Sequence, residues 1–64
     1  MMLGKFDPSE REKTIIFELL PAVKRDIIEA MIAKGWPESY ARSLIWNMKR
    51  VGHIYTHNGV IKKV

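Results

Sequence analysis

The chain has 64 residues, a formal net charge of +4 and no cysteine, which excludes a disulfide framework, a thiolate metal site and a catalytic thiol together. A domain of this size buries only about 60% of the surface its unfolded chain exposes, so nearly every apolar residue is expected in one core and residues 1–64 are read as one domain. No apolar run approaches the ~20 residues of a membrane span, and Met1 to Phe6 lack the arrangement of a signal peptide, so an intracellular, cytoplasmic protein with no membrane partner is expected.

After a tail over residues 1–7, Asp7-Pro8-Ser9-Glu10 reads as a helix start. Asp7 is the expected N-cap, Pro8 the first helical residue and Glu10 the acidic partner three residues on. The first helix is predicted over 8–20, burying Ile15, Ile16, Leu19 and Leu20, and Pro21 ends it because proline cannot continue the hydrogen-bond ladder. A second helix is predicted over 22–34. It buries Val23, Ile27, Ala30 and Met31, carries Ile28 and Ile32 on its flank, and stops at Gly35. Pro37 then opens a third helix over 37–51 after a turn of about three residues, which is helix-turn-helix spacing. Ala41, Leu44, Ile45, Met48 and Val51 form its apolar stripe. The opposite side is made by Ser39, Arg42, Ser43, Trp46 and Arg50, with Asn47 and Lys49 to either side, and Gly52 closes the helix.

Residues 53–64 carry the strand signal. His53 to His57 and Val60 to Val64 are β-prone runs around Asn58-Gly59, the preferred pair for a two-residue type I′ hairpin. That turn sets Ile54 opposite Lys63, Tyr55 opposite Lys62, Thr56 opposite Ile61 and His57 opposite Val60. Apolar residues occur on both faces, and Ile54 with Ile61 is the pair expected inward. The fold class that follows is mostly α with a small β-hairpin: a three-helix helix-turn-helix core plus a C-terminal two-stranded wing.

Charge divides unevenly along this plan. Glu38 is the last acidic residue, and the 26 residues from Ser39 to Val64 hold Arg42, Lys49, Arg50, Lys62 and Lys63 with no aspartate or glutamate. Six cations against seven anions precede that point. A region gathering cations and emptied of anions is suited to a polyanion, for which nucleic acid is the default.

The order of elements, with Lys49-Arg50-Val51-Gly52-His53-Ile54 running from helix into hairpin, resembles the winged helix-turn-helix superfamily of DNA-binding domains. Gly35 matches the turn glycine, Ala41 and Leu44 match the apolar positions six and nine residues after it, and Gly52 and Ile54 match the entry to the wing. His53 departs from the usual leucine there, and Met31 stands where many members have alanine. The resemblance covers about Glu12 to Val64 and lies in pattern and spacing.

It implies that Ser39, Tyr40, Arg42 and Ser43 occupy the half of the third helix that enters the major groove. Arg42 is the expected reader of a base edge, its guanidinium matching guanine O6 and N7, and Asn47 could pair with adenine if it reaches. Ser39, Ser43, Lys49 and Arg50 suit phosphate contacts. Lys62 and Lys63, with Thr56, His57 and Asn58 at the hairpin tip, suit a wing over the backbone or minor groove. Trp46 stays open between three readings: a core edge tucked against the hairpin, an anchor for a protein partner or dimer, and a nucleic-acid contact. Trp36 is expected to cover the seam between the second and third helices.

Catalysis finds no support. Asp7, Glu10 and Glu12 are accounted for by capping, and His53 and His57, four apart on a strand, stand roughly 13 Å apart by the rise of ~3.3 Å per residue. No enzyme, cofactor or metal is expected. The expected function is double-stranded DNA binding, by a small transcriptional regulator or accessory factor of a phage, plasmid or mobile element, which a short chain suits. The alternative is a protein-interaction module using Trp46 and Tyr40. About five cations neutralise roughly 3–5 phosphates, so binding at physiological salt calls for a homodimer, with the first helix, Phe6 or Phe17 as the expected contact.

Overall fold

Helix α1 (Glu10–Leu19) starts at Ser9. The Ser9 hydroxyl accepts from the Glu12 N–H at 3.2 Å and the Glu12 carboxylate accepts from the Ser9 N–H at 2.8 Å, a reciprocal capping box that satisfies two otherwise unpaired donors. The expected start is thereby corrected. Pro8 lies buried ahead of the cap instead of opening the helix, and Glu10 pairs with Lys13 at 3.2 Å. Asp7, with the rest of the tail, falls outside residues 8–64, which this computed structural model describes. Ile16 is fully buried, and Phe17, Leu19 and Leu20 pack partly buried against the core.

The chain turns at Leu20 and Pro21, joined by a cis peptide bond, and does not enter the second helix at residue 22. Ala22 donates to the Ile61 carbonyl at 3.2 Å and accepts from the Ile61 N–H at 2.8 Å, which holds it extended in an antiparallel bridge. Helix α2 (Lys24–Ala33) therefore begins two residues late, with Val23 as its N-cap. Val23 is 38% exposed in place of buried, and Ile28 is buried in place of flanking. Helix α2 packs against both α1 and its successor, so its apolar arc is wider than one stripe.

Helix α2 closes on a Schellman motif. Gly35, at φ 99°, donates to Ile32, and Trp36 reaches back to the Met31 carbonyl at 3.1 Å. Helix α3 (Glu38–Arg50) follows with Pro37 as N-cap. It ends the same way: Gly52, at φ 90°, donates to Lys49 and His53 donates to Met48 at 2.9 Å. Ala41, Leu44, Ile45 and Met48 are each at most 1% exposed, as the spacing predicts.

Strands β1 (Ile54–His57) and β2 (Val60–Lys63) pair antiparallel in the expected register. Asn58 and Gly59 stand at φ 52° and 79°, the positive values that a type I′ turn requires at both positions. Ile54 and Ile61 face inward and complete a core with Ile16, Ile27, Ile28, Met31, Ala41, Leu44, Ile45 and Met48, while Val51 at the end of the stripe is only half-buried. Each such side chain taken from water contributes about 1.5–3 kcal/mol. The result is a mostly helical three-helix core with a C-terminal β-wing, and the Ala22 bridge ties that wing to the α1–α2 junction.

Candidate nucleic-acid interface

Helix α3 buries one side so completely that its other side is fixed as surface. Ser39, Arg42, Ser43, Trp46, Lys49 and Arg50 are all exposed on it. Its ends suit the helix dipole, with Glu38 in the first turn and Lys49 and Arg50 in the last.

Arg42 is not an isolated cation. Its Nε and Nη2 both donate to Glu38 Oε2, at 3.0 and 2.8 Å. The two side chains are 54% and 55% exposed, and an exposed i,i+4 pair of this kind holds only about 0.3–0.5 kcal/mol, so the guanidinium can be released at little cost. The sequence carried this signal in the four-residue spacing of Glu38 and Arg42, and charge counting alone passed over it.

Trp46 is 54% exposed, with the Arg50 guanidinium 4.7 Å from its ring centroid. The reading of Trp46 as a core edge is therefore corrected: one side of the indole meets a cation of its own helix and much of the rest meets water. The other two readings stand. Tyr40 is half-buried and stacks on Trp36 at 5.0 Å with 13° between the planes, so these two rings together cover the α2–α3 seam, the role expected of Trp36.

Asn47 is corrected as a base reader. It lies three residues after Leu44 and four before Val51, on the apolar side of the helix, and is only 6% exposed. Its Nδ2 donates to the Ser43 carbonyl at 2.9 Å, and no described group meets its Oδ1. An amide so placed does not reach a groove floor.

The wing separates residues that the sequence reading grouped. Thr56, His57 and Asn58 are exposed near the tip, whereas Lys62 and Lys63 pair with Tyr55 and Ile54 at the base. Lys63 Nζ lies 5.0 Å from the Phe17 ring centroid, and both lysines line a hollow with Phe17, Leu20 and Pro21. Phe17 also meets His53 edge to face at 6.5 Å. It is thus engaged within the fold, partly buried; Phe6 lies outside the described residues.

A cleft of about 540 Å³ opens between α2 and α3. Lys24 and Arg25 of α2 line it opposite Glu38 and Arg42 of α3, with Ile28, Glu29 and Ile32 completing the wall. Two cations from the acidic part of the sequence are thus brought beside the expected reader, which a linear charge count could not show.

Among the described residues, no group of three histidine, aspartate or glutamate side chains is placed to hold a metal ion, and no helix is long and apolar enough to cross a membrane. Comparison with protein-family models, with curated proteins and with solved structures finds no match.

Proposed function

We propose that this protein binds double-stranded DNA, with the N-terminal half of α3 in the major groove and the wing against the backbone, as a small transcriptional regulator or accessory factor of a mobile element. The observation that carries the reading is the outward side of α3, where Arg42, Lys49 and Arg50 stand exposed with two serines while Lys24 and Arg25 flank Arg42 across the cleft. Guanidinium groups match guanine edges, and serine and lysine suit phosphates. Asn47 has no part in it.

The test is a titration with random-sequence and selected duplexes at several salt concentrations. Arg42→Ala is expected to weaken the selected site by about 1–3 kcal/mol and relax its preference, whereas Lys49→Ala weakens all sequences alike and lowers the salt slope by about one. An Arg42→Ala protein with unchanged affinity and selectivity would remove α3 as the reader.

Trp46 supports a second reading, a protein-interaction module. An exposed tryptophan beside an arginine has the composition of an interface anchor. Tyr40, engaged with Trp36, adds little to it, so this surface would rest on Trp46 and Arg50.

A further inference from the structure

We infer that Glu38 is a specificity-determining residue, acting on DNA through Arg42 by withholding the guanidinium from phosphates and yielding it to a matching base edge. The inference rests on the DNA-binding reading of α3 and adds to it a residue whose charge opposes the ligand.

Glu38 Oε2 accepts from both Nε and Nη2 of Arg42, at 3.0 and 2.8 Å, so one edge of the guanidinium is engaged while its Nη1 edge stays open. Both partners are more than half exposed, so the pair is a surface switch and not a structural clamp. It stands at the start of α3, the part of a helix-turn-helix that meets bases. Three consequences follow from the chemistry. In the free protein Arg42 has its charge offset by the carboxylate beside it. On a random duplex, a phosphate must compete with a carboxylate already bonded to Arg42 and is itself repelled by it. On a duplex presenting guanine at the right step, O6 and N7 offer two separate acceptors where Glu38 offers a single oxygen, and Glu38 is released toward the cations of the cleft, Lys24 and Arg25. Discrimination arises as much from what the carboxylate penalises as from what the arginine gains.

Glu29 supplies the control. It lines the same cleft and carries the same charge, but neither Glu29 oxygen bonds Arg42. If charge alone matters, removing either carboxylate has the same effect. If the bond to Arg42 matters, only Glu38 does.

The experiment compares wild type, Glu38→Gln, Glu29→Gln, Arg42→Ala and the Glu38→Gln/Arg42→Ala double variant on a random-sequence duplex and on a duplex selected from a random pool, across a salt series. Circular dichroism confirms that each is folded. Glu38→Gln is expected to bind the random duplex roughly twofold more tightly at low salt, with a slope steeper by up to about 0.9 as one more cation meets phosphate. Its selected-to-random ratio should fall. Glu29→Gln should leave that ratio unchanged, and in the Arg42→Ala background the glutamine should no longer change it, because coupling requires both partners. An unchanged ratio in Glu38→Gln, or the same fall in Glu29→Gln, overturns the inference while leaving DNA binding in place. Wild-type protein that binds neither duplex at low salt overturns the DNA-binding reading itself, and this inference with it.

Discussion

At the scale of single residues, Trp46 and Asn47 trade the roles their types suggest. The large apolar ring is in water, and the small polar amide is in the core. Because Trp46 is 54% exposed, Trp46→Ala is expected to cost no more than about 1 kcal/mol, the value of an exposed cation-π contact with Arg50, read as a shift in chemical denaturation midpoint. A loss of several kcal/mol would show the indole to be part of the core. Its effect on ligands is the sharper readout: a modest loss on duplex accords with DNA binding, whereas a loss of about 2 kcal/mol or more on a protein ligand, exceeding that of charge variants, accords with a protein partner. For Asn47, Asn47→Leu replaces a buried amide, whose Oδ1 meets no described group, with an apolar side chain of similar size. A buried acceptor left unmet carries a penalty of about 1–3 kcal/mol. The variant is therefore expected to be at least as stable as wild type and to bind duplex equally well; weakened binding in a folded Asn47→Leu protein would return Asn47 to the site.

At the scale of elements, turns and caps make separable contributions. Gly59 stands at φ 79° with open space around the position a Cβ would take, so only backbone conformation opposes a side chain there. Gly59→Ala should cost roughly 1–2 kcal/mol and Gly59→Asn less, since asparagine tolerates this region; equal costs would point to crowding instead. Ser9→Ala removes the hydroxyl of the α1 capping box and should lower stability by about 1 kcal/mol, measurable by thermal melting. The hairpin, its register and all three helices were legible because Asn58-Gly59, Gly35, Gly52 and the stripe from Ala41 to Met48 are local signals obeying one period or one turn rule. The α1 cap was legible but misread: Ser9-Glu10-Arg11-Glu12 is itself a capping-box sequence, and the proline ahead of it drew the start forward. Ala22 was not legible, because what makes it extended is Ile61, far along the chain, and no local pattern reports such a pairing. The same limit hid Lys24 and Arg25 from the candidate site, since packing of α2 on α3 brings them beside Arg42.

At the scale of the whole molecule, little stability is held in reserve. A domain of 64 residues is expected to have about 3–10 kcal/mol in total, at roughly 0.05–0.15 kcal/mol per residue. Ile61 is 1% exposed and its backbone holds the Ala22 bridge. Ile61→Ala, which removes the side chain and leaves the backbone, should cost about 2–5 kcal/mol, a large share of that total, read as a lowered thermal midpoint by circular dichroism. Near wild-type stability in that variant would mean that the helices stand without the wing.

The Ala22–Ile61 bridge also bears on how the protein is made. Chains grow from the amino end, so the helices leave the ribosome while Ile54 and Ile61, the apolar cover for their exposed side, are still inside it or not yet joined. Until Ile61 emerges, Ala22 lacks its partner and Ile16 and Ile27 lack part of their shelter. Nascent chains arrested at His57 should accordingly be cut readily by protease, and chains carrying a linker long enough to clear Val64 from the exit tunnel should resist it. Emergence of Ile61 from the tunnel thus becomes the step at which the Ala22 bridge can close.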